Sequence, residues 1–250
     1  MKIILVGACG RMGRNVAEVA SEQGIQIAAG IDVVSAPAPF PLYTSISEVS
    51  SEADAVIDFS SASGLESTLA WCEARGIPAV LAATGFTEGD EARIAQAAEK
   101  IAVFKTGNLS IGVNLLQRLA KKAAEILGDG FDCEIIERHH HTKKDAPSGT
   151  ALMLAKSVNE GFGGGKENVY GRHGMVGERK TSEIGIHAVR GGTIVGEHEV
   201  MFAGQDEIVT LSHSARSRKV FASGALKAAA WLSGRAPGLY DMDDLLGDLI

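Results

Sequence analysis

The sequence has little cysteine, proline or aromatic residue, and each shortage excludes a class of protein. Its 250 residues include 3 cysteines and 6 prolines, and 5% are aromatic. Cys9, Cys72 and Cys133 are odd in number, lie far apart and have no metal-ligand spacing, so we expect reduced thiols and no metal site. The few prolines, together with the lack of a low-complexity block or a repeat, exclude a disordered linker or a solenoid.

Long apolar runs and an excess of positive charge are also missing. No stretch reaches the length of a membrane-spanning helix, and the first residues lack the cleavable apolar core of a signal peptide. The net charge of −7 offers no general attraction to a polyanion. We therefore expect a cytoplasmic protein that has neither a membrane nor a nucleic acid as its partner.

The apolar residues that are present predict the fold class. They make up 45% of the chain, enough for a large core, and the length favours two domains. In the first 110 residues, strand-like runs alternate with amphipathic stretches, which predicts a Rossmann-like doubly wound parallel sheet. These runs are residues 3–6, 25–31, 55–59, 79–83 and 101–104.

After residue 110 the pattern changes to that of an α+β domain with a mixed, largely open sheet. Strands are predicted at residues 133–137, 183–190, 193–203 and 207–214. The glycine pair at 191–192 and the segment 204–206 both have the composition of hairpin connectors. A helical pattern over 219–233 is expected to pack back onto the first domain. The predicted domains are therefore residues 1–110 with 219–250, and residues 111–218.

The first apolar run leads into a glycine-rich turn with the pattern G-x-x-G-x-x-G. Glycines in such a turn let backbone amides approach a pyrophosphate at a helix N-terminus, and Asp32, nineteen positions past Gly13, is placed to bind ribose hydroxyls. The alternative is a tight turn in an ordinary α/β sheet, with Asp32 as a cap. Residues at the strand ends complete the predicted cofactor site. Its members are Gly7, Ala8, Cys9, Gly10, Arg11, Met12, Gly13, Asp32, Phe59, Ala82, Ala83, Thr84, Thr106, Gly107, Asn108 and Leu109.

A second informative segment, residues 137–150, combines three consecutive histidines with fixed positive charges. Histidine exchanges protons near neutral pH, and Arg138, Lys143 and Lys144 add cationic charge on an acidic protein, which indicates a local anionic ligand. The residues from Pro147 to Thr150 resemble a helix start, where free N–H groups bind carboxylates. A solvated charged face and a metal cluster are the alternatives, although adjacent histidines splay apart and no second ligand pair is present.

The remaining histidines are scattered singly along the chain. An isolated histidine is more often a packed or surface residue than a catalyst, so we interpret these four as structural. They are His173, His187, His198 and His213. Arg218 lies at a domain junction, and hinge or salt-bridge duty and substrate contact are all open for it.

Two motifs together resemble those of the 4-hydroxy-tetrahydrodipicolinate reductase family, also called dihydrodipicolinate reductase. They are the pattern E-x-H-H-x-x-K-x-D-A-P-S-G-T at residues 137–150 and the start G-x-x-G-R-M-G at residues 7–13. The resemblance covers the whole chain. Family members carry G-T-T-G-F at the third strand end, where this chain has residues 82–86 as A-A-T-G-F, so the side chain at position 83 brings no hydroxyl.

The resemblance implies an NAD(P)H-dependent reductase of a cyclic dicarboxylate that assembles as a homotetramer. It implies that His139 is a proton donor or acceptor and Lys143 a second proton donor, while His140, Gly149 and Thr150, with Ser148, contact the carboxylates. Because Asp32 would repel a 2′-phosphate, we expect NADH to be preferred, with NADPH possible. The rival interpretations are another nicotinamide-dependent enzyme, such as an amino-acid dehydrogenase, and a non-catalytic dinucleotide sensor.

Overall fold

Seven strands of the chain form one parallel sheet in the computed structural model, which describes residues 1–34, 36–83 and 85–247. Numbered in chain order, they are β1 (Lys2–Val6), β2 (Gln26–Ile31), β3 (Leu42–Tyr43), β4 (Ala55–Asp58), β5 (Ala79–Leu81), β6 (Ala102–Lys105) and β12 (Gly238–Tyr240). The spatial order β3-β2-β1-β4-β5-β6 is that of a doubly wound dinucleotide-binding sheet, and β12 is added beside β6. The predicted Rossmann-like sheet is confirmed, whereas the short strands β3 and β12 were not predicted.

Helices cover both faces of this sheet because successive strand residues point to opposite sides. Ile3 and Leu5 face a core formed with α1 (Arg11–Glu22) and α6 (Lys219–Leu232). The residues between and beside them, Ile4 and Val6, face a second core, formed with α2 (Leu65–Arg75) and α3 (Glu88–Ala98). The expectation that the C-terminal helical segment packs against the first strands is therefore confirmed.

The middle of the chain forms a five-stranded mixed sheet with two long helices. The elements are α4 (Ile111–Leu127), β7 (Asp132–His139), α5 (Gly149–Gly161), β8 (Glu167–Tyr170), β9 (Glu183–Arg190), β10 (Gly196–Ala203) and β11 (Ile208–Ala215). The order is β11-β10-β7-β9-β8, and β7 pairs parallel with β9 and antiparallel with β10. Apolar residues of α4, α5 and the inner sheet face form its core. A mixed sheet was predicted, and it is present.

One predicted connection in this sheet is wrong. The glycine pair 191–192 does not join a hairpin, because β7 lies between β9 and β10. Gly191 N donates to the carbonyl oxygen of His139, and His141 N donates to that of Gly192, so the pair continues the β7 ladder. The five residues 191–195 between β9 and β10, the glycine pair included, suffice to cross two strand spacings, about 10 Å. The other predicted hairpin, between β10 and β11, is confirmed.

The chain divides into two compact units. One comprises Met1–Ile111 and the segment that begins at Arg218, and the other comprises Gly112–Ser217. The short helix α7 (Met242–Gly247) belongs to the first. Within the described residues, no helix has the length and apolar character needed to cross a lipid bilayer.

Candidate functional site

The glycine-rich turn in the first unit leaves no space for a side chain at Gly7 or at Gly13. Gly7 has φ +77°, and a Cβ atom placed on it would lie 2.9 Å from the backbone of Phe59. A Cβ on Gly13 would lie 2.2 Å from the carbonyl oxygen of Gly7. These approaches bring the N-terminus of α1 directly against the turn, where its first backbone N–H groups have no partner within the helix. Such an arrangement suits the pyrophosphate of a dinucleotide.

Asp32, at the carboxyl end of β2, is tied to the same turn. Its Oδ2 accepts a hydrogen bond from Cys9 N at 2.8 Å, and its Oδ1 accepts one from Val34 N at 3.0 Å. The carboxylate thus caps a local turn, which was the alternative interpretation, and also lines a cavity. This cavity of about 470 Å³ includes Gly7 and Gly10 in its wall. The capping role of Asp32 is therefore confirmed, and ribose binding stays a prediction.

The ends of β4, β5 and β6 meet at a second cavity of the same unit, about 280 Å³ in volume. Its walls are formed by Met12, Phe59, Ala82, Thr106, Gly107, Asn108, Leu109 and Phe221. All of these except Phe221 belong to the predicted cofactor site. Phe221 lies on α6, more than 100 positions along the chain from Leu109, so only the packing of that helix reveals it.

Five other predicted cofactor residues are placed differently. Among the described residues, Ala8, Cys9, Arg11, Gly13 and Ala83 do not line either cavity. Ala8 and Gly13 are buried within the turn, whereas Arg11 is exposed. The four residues between 8 and 13 shape the turn or flank it, whereas Ala83 follows β5. Thr84, the remaining predicted member, lies outside the described residues.

In the second unit, His139 stands at the end of β7 in a buried network of charges. Glu137, which is completely buried, lies two residues earlier on the same side of the strand. Its Oε2 lies 2.5 Å from His139 Nδ1, and because a carboxylate only accepts hydrogen bonds, the imidazole donates. Arg190 donates to both carboxylate oxygens at 2.7 Å. Ser148 N donates to Oε1 at 2.9 Å.

These contacts keep Glu137 ionised. Burial raises the pKa of this carboxyl, but hydrogen bonds from Arg190, His139 and Ser148 outweigh burial and hold the pKa below its usual value. The hydrogen bond from Nδ1 to Glu137 Oε2 fixes the ring of His139. The burial of Glu137 and His139 contradicts a merely solvated charged face for this end of the segment.

His198 was interpreted as an isolated structural residue, yet the structure brings it into this network. It lies on β10 opposite Glu137, its Nε2 is 2.9 Å from Ser148 Oγ, and its ring makes an edge contact with that of His139. Burial and the neighbouring His139 lower the pKa of His198 to about 4, so its ring is neutral. Sequence spacing gives no signal for this approach, because strand register produces it.

The predicted substrate residues begin α5. Ser148 is its N-cap, and the buried hydroxyl accepts a hydrogen bond from Ala151 N at 3.1 Å, so this side chain serves the protein interior. Gly149 and Thr150 are the first helical residues, and the first turn of a helix is the place where backbone N–H groups commonly bind anions. His140 Nδ1 lies 2.7 Å from Thr142 Oγ1.

The charge of the loop is smaller than the sequence indicates. Arg138 points to the opposite face of β7 from His139, since strand side chains alternate, and lies 3.5 Å from Glu199. Lys143 stays on the loop, where its Nζ is 2.9 Å from Asp145 Oδ2. An anionic ligand would have to compete with that carboxylate. Across the described parts of the chain, no three His, Cys, Asp or Glu side chains are placed to share a metal ion.

Comparison with known proteins agrees with both halves of this description. The family model described as dihydrodipicolinate reductase, N-terminus, matches residues 1–109, and that described as dihydrodipicolinate reductase, C-terminus, matches residues 112–246. The 4-hydroxy-tetrahydrodipicolinate reductase of Caldanaerobacter subterraneus subsp. tengcongensis is 49% identical over 98% of each chain. That of Clostridium botulinum is 43% identical over 99% of this chain and 98% of its own.

A solved structure agrees at the level of the fold. The dipicolinate-bound dihydrodipicolinate reductase from Paenisporosarcina sp. TG-14 has a TM-score of 0.80 at 24% identity, and the match covers 96% of this chain and 97% of that one. The resemblance inferred from the two motifs is thereby confirmed. The chain belongs to the dihydrodipicolinate reductase family.

Proposed function

We propose that this chain reduces 4-hydroxy-tetrahydrodipicolinate to tetrahydrodipicolinate in the diaminopimelate route to lysine, with loss of the 4-hydroxyl as water, and that His139 and Lys143 supply the proton that accompanies the hydride. The observation that carries the residue assignment is the buried Glu137–His139 pair, which commits the imidazole Nδ1 and leaves Nε2 for the substrate. The family's nicotinamide cofactor, when bound, supplies the hydride. The protein supplies positions, charge and the proton.

The first unit offers a binding site for that cofactor. The glycine turn and the N-terminus of α1 would hold the pyrophosphate, Asp32 the adenine ribose, and the cavity at the ends of β4, β5 and β6 the nicotinamide end. The absence of space for a Cβ at Gly7 and Gly13 supports this assignment, because bare glycines let the N-terminus of α1 pack against the end of β1, where helix N–H groups can face a phosphate.

The second unit offers the proton donors and the carboxylate contacts. Nε2 of His139 and the ammonium of Lys143 would donate to the reduced ring. His140 and the backbone N–H groups of Gly149 and Thr150 would bind the two carboxylates of the substrate, the dianion for which a helix N-terminus is suited. In this proposal Lys143 leaves Asp145 when the substrate binds, so its charge is released only in the complex.

The cofactor preference follows from the end of β2. Asp32 presents negative charge to the larger cavity, and the next residue, Val33, is exposed and offers no cation for a 2′-phosphate. We propose that NADH is preferred and that the exposed Arg11 permits some use of NADPH. The ratio of kcat/KM values for the two cofactors measures this, and a larger value for NADPH would overturn the preference.

We propose a homotetramer assembled through the mixed sheet. Exposed apolar side chains on and beside this sheet support an interface there, among them Tyr170, Val189 and Ile208. Sedimentation velocity on the purified chain measures the mass directly. A monomer of 26.1 kDa at micromolar concentration would contradict the assembly.

The reaction is tested by forming the substrate from pyruvate and aspartate semialdehyde with the upstream synthase and following NADH absorbance. Wild-type protein should oxidise NADH only when all components are present. Lys143→Ala should lose about 100-fold or more in kcat while binding NADH normally. Lys156→Ala is the matched control, because Lys156 is exposed on α5 beyond the loop, and it should keep wild-type turnover.

A further inference from the structure

The ion pair between Glu137 and Arg190 connects several parts of the proposed site that are distant in sequence. We infer that Glu137 and Arg190 are positioning residues for the reduction, because their pair fixes the His139 ring and the start of α5 in one arrangement. This inference rests on the proposed function. Neither side chain is assigned a contact with substrate or cofactor, so each acts through a neighbour.

Glu137 serves two different neighbours with its two oxygens. Oε2 accepts from His139 Nδ1, and Oε1 accepts from Ser148 N, the N-cap residue of the helix proposed to bind the substrate carboxylates. A shift of this carboxylate would therefore move a proton donor and an anion site together. A single buried group thus couples protonation to substrate orientation.

Arg190 holds the carboxylate in place and extends the network to the loop. Its two terminal nitrogens take one carboxylate oxygen each at 2.7 Å, a bidentate geometry that fixes the plane of the carboxylate. Nη2 also donates to the carbonyl oxygen of Asp145 at 2.6 Å, and Asp145 is the partner of Lys143. Both proposed proton donors are thus connected to Arg190.

The surroundings of the His139 ring allow little other freedom. A Cβ on Gly196 would lie 3.1 Å from Nε2, so the β10 backbone passes close to that nitrogen. The charged and titratable groups around the ring are Glu137 on its own strand, Arg190 on β9 and His198 on β10. Of these, Glu137 is the group that holds Nδ1 of the ring, through the hydrogen bond to its Oε2.

Glu137→Gln separates a positioning role from a purely structural one. A glutamine can turn its amide NH₂ toward Nδ1, and this contact favours the neutral ring tautomer whose single proton is on Nε2. A neutral ring is a far weaker acid than a protonated one, so proton donation from Nε2 becomes unfavourable. We expect kcat to fall by about 100-fold or more, with KM for NADH within about twofold of wild type. Loss of the anion should also move the alkaline limb of the kcat profile to lower pH.

A second arginine–glutamate pair, formed by Glu134 on the same strand as Glu137, provides a matched control. Arg172 forms a bidentate pair with Glu134, which faces the other side of β7 and contacts neither His139 nor Ser148. Arg190→Met should lower kcat by about 10-fold or more, whereas Arg172→Met should stay within about threefold. Equal losses in the two methionine variants, or a Glu137→Gln enzyme within about threefold of wild-type kcat, would overturn the inference.

Two further measurements keep the outcome interpretable. Glu137→Asp retains the charge and should keep the alkaline limb in place even if kcat falls, so a limb that shifts in this variant as in Glu137→Gln would contradict the role. ¹⁵N resonances of the His139 ring, assigned with His139→Ala, should show Nδ1 protonated in wild type and a changed tautomer in Glu137→Gln. This spectrum tests the positioning of the ring without any measurement of turnover. If wild type does not oxidise NADH with the proposed substrate but the spectra are as expected, the proposed reaction is rejected and the positioning role of Glu137 is not.

Discussion

The glycine turn, residues 7–13, and the histidine loop, residues 137–150, are built on opposite principles. The turn uses main-chain groups and missing side chains, and the one carboxylate in it, Asp32, is held by backbone N–H groups. The loop uses buried side-chain charges, in which Glu137 has partners on three different elements. The turn should therefore be sensitive to added atoms and tolerant of pH, whereas the loop should be sensitive to removed charge and to protonation.

The largest effect is expected from the loop. His139→Gln keeps a polar side chain of similar length but cannot carry a proton at neutral pH, so kcat should fall by about 10² to 10⁴-fold. Initial rates of NADH oxidation at saturating substrate measure the loss. A variant within about threefold of wild type would show that proton delivery does not depend on this ring.

Acid should weaken the second unit through Glu134, a half-buried carboxylate. Burial raises the pKa of Glu134, but hydrogen bonds from Arg172, Arg179 and His187 outweigh it and lower the pKa to about 2, against a usual value of 4.5. A folded-state pKa below the unfolded value stabilises the fold above pH 4.5, and this stabilisation is lost as the pH falls toward 2. It amounts to about 3 kcal/mol.

Urea unfolding of wild type and Glu134→Gln at several pH values checks this expectation. Between pH 4.5 and 2 the free energy of unfolding should fall more steeply in wild type than in the variant. Equal slopes would show that Glu134 does not carry the acid dependence. Cofactor affinity at neutral pH serves as the control, since Glu134 lies in the second unit.

Adding one methyl group should test the turn. In Gly13→Ala the new Cβ meets the carbonyl oxygens of Gly7 and Ala8 at 2.2 and 2.5 Å, so the turn must open. We expect a stability loss of about 1–3 kcal/mol and NADH binding weakened by about tenfold or more. Gly89→Ala, in α3, is a steric control, because its φ is not positive and the nearest atom to its Cβ position, Thr87 Oγ1, lies 3.7 Å away. Unchanged NADH affinity in Gly13→Ala would contradict the assigned pyrophosphate site.

The smallest effect is expected at the start of α5. Ser148→Ala removes the N-cap and the hydroxyl beside His198 Nε2, which should cost about 1–2 kcal/mol of stability. KM for the substrate should rise more than KM for NADH, because the cap orders the helix terminus proposed to bind carboxylates. Thermal unfolding and steady-state kinetics measure both. Equal changes in the two KM values would argue against a carboxylate site there.

The same contrast explains what the sequence could and could not predict. The turn is local, because its glycines, the apolar run before them and Asp32 all lie within the first 32 residues. The carboxyl ends of parallel strands also meet at one edge of the sheet, so the wall of the smaller cavity, apart from Phe221, was predictable. Most of the wall of the larger cavity was not predicted. His139 and Lys143 were selected from a local motif as well. Their supports were not, because Arg190 reaches Glu137 only through the parallel pairing of β7 with β9.

Strand order was the least predictable feature of the second unit. The segment 183–190 was correctly predicted as a strand, but the glycines that follow it suggested a hairpin. Because β7 inserts between β9 and β10, His198 comes to lie opposite Glu137 rather than beside β9. A composition signal for a turn does not reveal which strand lies across it, so His198 stayed hidden.

The proposed division between a turn that binds the cofactor and a segment that delivers the proton is tested most directly by titrating NADH into His139→Gln protein from the preparation used for turnover. Fluorescence of the bound cofactor gives Kd. The account predicts a Kd within about twofold of wild type together with the loss of turnover. A Kd raised about tenfold or more in parallel with that loss would contradict it.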